Sequence, residues 1–123
     1  MWCIEYDPAL ALLTVRVSQS LGSAHVEALR AAHSEALGNT GGAPFGVLHD
    51  LRGVAPLDVP TAEAFSAVRS AEIDAGCIRR AVVASSATIA LQQRRVSVET
   101  PGPTTMEELV TLDEGEAVTF LER

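Results

Sequence analysis

The sequence predicts an α/β fold: a mixed, mostly parallel five-stranded sheet with an N-terminal hairpin and about four helices. Three observations carry this. First, two short apolar stretches flank the turn Asp7-Pro8, and in the second Leu13, Val15 and Val17 alternate with Thr14, Arg16 and Ser18, the period of a strand buried on one face. Second, from Ser23 onward apolar runs alternate with segments of helical period, which is the order of βα units. Third, Ala81-Val82-Val83-Ala84 is apolar without alternation, as suits a parallel strand covered on both faces. With 123 residues, the chain is read as one domain, 1–123, that buries roughly two-thirds of its unfolded surface.

Taken in order, Cys3 to Tyr6 and Leu10 to Val17 are expected to form an antiparallel hairpin, with Pro8 fixing φ in the turn. Ser23 to Leu37 has helical period: Val26, Leu29, His33, Ala36 and Leu37 share one side, Gly22-Ser23 offers a cap and Gly38-Asn39 a stop. Phe45 to Leu48 is the third strand, ending in the polar step His49-Asp50 and a turn at Arg52-Gly53. The second helix is expected from Val59 to Ala75, capped by Asp58, with Ala64, Phe65, Val68, Ala71 and Ala75 buried and Gly76 at its end. Ala81 to Ala84 is the fourth strand. Ser85-Ser86 opens a third helix to about Arg95, and the stretch from Val96 to Met106, with Pro101-Gly102-Pro103 inside it, reads as loop. Leu109 to Leu112 is the last strand, and Asp113 with Glu116 resembles a capping box for the final helix, whose apolar stripe is Ala117, Phe120 and Leu121. The order is β-β-α-β-α-β-α-β-α.

Composition narrows the class. The formal charge is −7, which argues against nucleic acid and anionic membrane surfaces, because phosphate recognition needs clustered cations. All nine basic residues are arginine, a compositional bias. Cys3 and Cys77 are the only cysteines; without a secretory leader they are read as buried free thiols. Neither a signal peptide nor an apolar run of roughly 20 residues is seen, so a cytoplasmic protein is expected.

Few residues suggest chemistry. His49 and Asp50 are the one pair suited to catalysis, but neighbours on a strand face opposite ways and no nucleophile motif accompanies them. Structural roles are therefore expected, Asp50 accepting backbone N–H bonds in the turn or pairing with Arg52. His25 and His33 are eight residues apart, about 12 Å along a helix, so they and His49 make no metal set by spacing; His33 is read as a packed, satisfied histidine. The pairs Arg79-Arg80 and Arg94-Arg95 are read as solvated. Gly41-Gly42 and Gly102 lack the setting of a phosphate-cradling loop, and Ser85-Ser86 is read as a helix cap. No cofactor or metal is implied.

The element order, read with Asp50-Leu51-Arg52-Gly53-Val54, resembles the STAS domains, including the anti-sigma-factor antagonists and the broader SpoIIAA-like group. In the antagonists a strand ends in an Asp-Leu-Ser-Gly-Val-like motif before the second helix, and the serine is phosphorylated by a partner kinase. Asp50, Leu51, Gly53 and Val54 match as they stand, and the ending from Leu112 to Leu121 is similar to the SpoIIAA-like one. The departure is Arg52, which stands where the serine would be. An arginine takes no phosphate; it supplies a fixed charge and a planar fork of donors. Thr61 and Ser66 are the alternative hydroxyls; hydroxyls are common in the first turns of helices, and capping is their expected role.

The resemblance implies a bacterial regulatory or protein-binding module without catalysis. Its contact surface is expected at Asp50, Arg52, Gly53, Val54, Asp58 and Thr61, with Arg52 a constitutive contact toward a protein partner. The alternative is a carrier or sensor of a small apolar ligand, with Phe45, Leu48, Phe65 and Val82 lining an enclosed pocket. An enzyme using His49 and Asp50 is the least favoured reading. The hairpin edge and the alanine-rich helix faces also suit a homodimer.

Overall fold

The structure, a computed structural model, describes residues 2–18, 23–54, 59–99 and 106–122. They form strands β1 (Trp2–Asp7), β2 (Leu12–Val17), β3 (Phe45–Leu51), β4 (Cys77–Ala84) and β5 (Glu107–Thr111), and helices α1 (Ser23–Gly38), α2 (Val59–Ala75), α3 (Ala87–Glu99) and α4 (Glu114–Leu121). The sheet runs β1-β2-β3-β4-β5. β1 and β2 pair antiparallel, and every later pair is parallel. This is the mixed sheet the sequence predicts, with its opening hairpin.

Helices cover both faces unequally. On the α1–α2 side, Leu13, Val15, Val17, Phe45, Val47, Leu51 and Val82 pack under Leu29, Leu37 and Phe65. On the other side, Leu48, Ala81 and Val83 pack under Ala117 and Phe120 of α4. Strand alternation dictates this split: Phe45, Val47 and Leu51 of β3 face α1 and α2, whereas Leu48 faces α4. His49 therefore belongs to the first side and Asp50 to the second.

Several boundaries differ from the sequence reading. β3 does not stop at the polar step but continues through His49 and Asp50 to Leu51, because both polar side chains find partners, His49 the buried Glu72 and Asp50 the guanidiniums of Arg16 and Arg52. β4 starts at Cys77 rather than Ala81, so Arg79 and Arg80 lie within the strand. α3 extends to Glu99, which makes residues 96–99 helical where a loop was expected; positions 100–105, including Pro101-Gly102-Pro103, lie outside the described residues. Gly22 and Asp58, the expected caps of α1 and α2, lie outside them as well. Asp113 does cap α4, accepting from the N–H groups of Gly115 and Glu116, and the Ser86 hydroxyl accepts from Ile89 N–H at the start of α3. Cys77 is buried, but Cys3 is exposed, since β1 is an edge strand and Cys3 points off it.

The hairpin turn holds one strained residue. Asp7 Oδ1 accepts from the N–H groups of Ala9 and Leu10, and the chain re-enters β2 through Ala11 at φ 48°. A Cβ in the left-handed region costs roughly 1–2 kcal/mol, against roughly 0.5–1 kcal/mol of extra unfolded-state freedom for glycine. Ala11→Gly is therefore expected to raise stability by about 0.5 kcal/mol, read as a higher urea midpoint at unchanged slope.

Candidate functional site

The parallel strands end at a charged rim. Arg16, next to Asp50 in the β2–β3 register, donates from Nη1 to Asp50 Oδ2 at 2.8 Å. Arg52, in the turn after β3, grips the same carboxylate twice, Nε to Oδ1 at 2.9 Å and Nη2 to Oδ2 at 2.7 Å. Its backbone N–H also donates to Oδ1 at 3.2 Å. Glu114, at the start of α4, lies 3.2 Å from Arg52 and 3.6 Å from Arg16. The Arg52 hydrogen bonds outweigh burial and hold Asp50 below the usual carboxylate range, and Asp50 in turn holds the Arg52 guanidinium in its charged form.

Two guanidiniums thus meet two carboxylates. The fork–fork pair fixes the Arg52 side chain in one direction, and 44% of that side chain remains exposed. Gly53 follows, so close to the end of β2 that a Cβ on it would lie 2.2 Å from the Ser18 carbonyl oxygen. Val54 closes the turn, its N–H donating to Leu51 carbonyl at 3.0 Å, and its side chain is buried in the main core. Thr61 is half-buried in the first turn of α2. The expected surface residues Asp50, Arg52, Gly53 and Val54 therefore sit together at one edge, Thr61 sits early in the next helix, and Asp58 lies outside the described residues.

The residues named for an apolar pocket do not share one space. Phe45, Phe65 and Val82 belong to the core under α1 and α2, and Leu48 to the core under α4, so the sheet separates them. Phe45 and Leu48 do meet a groove of about 480 Å³ at the opposite end of the sheet, beside Leu10, Ile78 and Val118; Phe65 and Val82 do not line it.

A second polar cluster lies beneath the surface, and the sequence reading did not assemble it. Glu72 of α2 is fully buried. Its Oε2 meets Nε2 of His33 (α1) at 2.8 Å and Nε2 of His49 (β3) at 2.6 Å. Its Oε1 accepts from Arg80 Nε (β4) at 2.9 Å. Arg80 and Arg69 (α2) both reach Glu108 of β5, at 3.4 Å and 3.0 Å, and Arg69 Nη2 makes a second, shorter contact with the same carboxylate. Burial works against an ionised Glu72, but His49 and Arg80, with the histidine hydrogen bonds, outweigh it and hold the carboxyl well below its usual range. Burial wins at His49, whose imidazole is lowered from its ordinary value despite Glu72.

This overturns the reading of Arg79-Arg80 as a solvated pair, since Arg80 is 1% exposed. It also modifies the metal argument. The spacing of His25 and His33 does keep them apart, but His33, His49 and Glu72 bring three ligand-type atoms within 4.8 Å of one another. His49 and Asp50 do not meet as base and orienter, since their partners lie on opposite faces.

What the geometry defines is an α/β module with a charge-balanced rim at the carboxyl ends of its strands, and the chain has the STAS fold. It matches the crystal structure of an anti-sigma factor antagonist from Mycobacterium paratuberculosis with a TM-score of 0.65, covering 100% of this chain and 94% of that one at 13% sequence identity. No protein-family model matches the sequence, and no curated protein does. Among the described residues, no helix is long and apolar enough to cross a membrane.

Proposed function

We propose that this chain is a non-catalytic regulatory module that binds a protein partner through the rim formed by Asp50, Arg52, Gly53 and Val54, extended by Thr61 in the first turn of α2. The observation that carries this is the Arg52 side chain, locked by a bidentate pair to Asp50 and yet 44% exposed at the strand ends. Loops at the carboxyl ends of parallel strands are where open α/β sheets meet their ligands. A pre-oriented guanidinium there loses little freedom on binding. In the antagonists that the motif resembles, a phosphorylatable serine holds this position; with Arg52 in its place the contact is permanent rather than switched.

The carrier reading has less to stand on, because its four residues are divided between two cores. The enzymatic reading has less still, with His49 committed to Glu72 and Asp50 to two arginines.

Arg52→Glu is the test. It reverses the charge beside Asp50 and Glu114 and should reduce recovery of a specific partner by tenfold or more in quantitative affinity capture. Circular dichroism should report the same fold, since the side chain is a surface one. Equal recovery by both proteins would reject the rim as the interface.

A further inference from the structure

The buried stripe of α2 is apolar at one end and ionic at the other. Phe65 and Val68 are followed on it by Arg69 and Glu72, all four buried. Glu72 ties α2 to α1, β3 and β4, while Arg69 ties it to β5. The charged groups there are two guanidiniums, Arg69 and Arg80, and two carboxylates, Glu72 and Glu108. Their sum is zero when both imidazoles are neutral. Cys77, which faces the same carboxylates, has its thiol pushed up to about 12 by burial and by Glu72, so it stays uncharged. Glu27 and Arg30, beside His33 on α1, pair with each other at 3.4 Å.

A carboxylate oxygen only accepts, so each histidine must present Nε2–H to Glu72 Oε2. An added proton then goes to Nδ1. His49 Nδ1 is buried without a hydrogen-bond partner among the described residues. Protonation would therefore create an unpaired buried N–H and an uncompensated positive charge at once. We propose that His33, His49 and Glu72 form a proton-operated latch on α2: protonation of His49 breaks the charge balance under the helix and releases it from the sheet. His33 also lines a groove between α1 and α2, which gives water and protons a way in.

A metal ion fits the cluster less well. Ligand atoms about 2.0–2.1 Å from a tetrahedral zinc lie about 3.3 Å apart, whereas these pairs are at hydrogen-bond distances of 2.6 and 2.8 Å. A divalent cation would also leave two positive charges unmatched beside Arg80.

The sign follows from linkage. His49, held neutral in the fold by burial, binds fewer protons than the unfolded chain below its ordinary value near 6.5. Its contribution is intact above that pH and falls as the pH drops toward its folded value. Glu72 and Asp50, both held low, lose theirs only in stronger acid. The latch stands apart from the partner reading and is tested without a partner.

The experiment is hydrogen exchange of the wild type and of His33→Gln/His49→Gln from pH 7.5 to 5.0, corrected for intrinsic rates. Glutamine keeps a neutral N–H donor but does not titrate. In the wild type, α2 amides should lose protection by about tenfold per pH unit for each proton taken up, while β3 and β4 stay protected; the double variant should be flat. Overturning results are pH-independent protection of wild-type α2, equal behaviour of both proteins, loss of protection everywhere together, or stoichiometric zinc that the double variant fails to bind. Should the double variant not fold, histidine NMR of the wild type decides. Loss of α2 amide signals in step with imidazole protonation supports the latch, and protonation with α2 unchanged overturns it.

Discussion

Replacing Glu72 by glutamine should cost about 3–5 kcal/mol of folding stability, the range for breaking a buried ion pair by removing one partner. Three donors converge on this carboxylate: His33, His49 and Arg80. An amide has one acceptor oxygen for them. With its NH₂ toward Arg80 it faces a group that cannot accept. With its NH₂ toward the histidines it forces them to the tautomer that carries the proton on Nδ1, which at His49 is buried without a partner among the described residues. Arg80, 1% exposed, would keep only the longer contact to Glu108. Small domains are stable by about 5–15 kcal/mol, so this loss would lower Tm by roughly 10–20 °C. Removing both charges should be gentler. Glu72→Leu/Arg80→Leu leaves no unpaired ion at that bond, so its cost should fall below that of the single change, as apolar replacements of buried pairs do. Urea midpoints of the two variants decide it; a single variant within 1 kcal/mol of wild type would show that the carboxylate is not ionised in the fold.

The same cluster shows where sequence reading stops. The sheet and helices were legible because their signals are local: alternation in β2, the unbroken apolar run in β4 and the helical stripes of α1 and α2. The rim was legible too, because Asp50 and Arg52 are two residues apart and a turn closes them without help from elsewhere. The buried cluster draws on five separate elements, and no spacing within one element reveals it. Weak signals did exist. Arg69 and Glu72 fall four and seven positions after Phe65, on its own helical stripe, but charged residues are assigned to solvent by default. Arg80 alternates in phase with Val82, yet starting the strand at Ala81 left it outside. Its partner Glu108 sits beside it in the β4–β5 register, which becomes visible only once β5 is known to begin at Glu107.

Gly53→Ala should be the second costly change, by about 2–3 kcal/mol, near the upper range for overpacking. The demand at this position is close approach rather than backbone freedom, because Gly53 has no left-handed φ. An added Cβ would lie 2.2, 2.4 and 2.5 Å from the carbonyl oxygen, carbonyl carbon and Cα of Ser18. All three are backbone atoms, so no side chain can rotate away. β2 and β3 leave the sheet at the same end, paired in parallel up to Arg16 and Asp50, and the two exits must separate by nearly an ångström to admit a methyl group. That movement pulls on Arg52, the next residue back, and loosens the bidentate grip whose two bonds are 2.9 and 2.7 Å. The variant should therefore lose stability and a fixed Arg52 together, seen as a lower urea midpoint and a shifted, broadened Arg52 Nε–H resonance. Gly38→Ala is the matched control, since nothing lies within 4 Å of its added Cβ at the end of α1; it should stay within about 0.5 kcal/mol of wild type. If Gly53→Ala matched that control, Ser18 could yield freely, and the strand exits would not be what holds the rim in place.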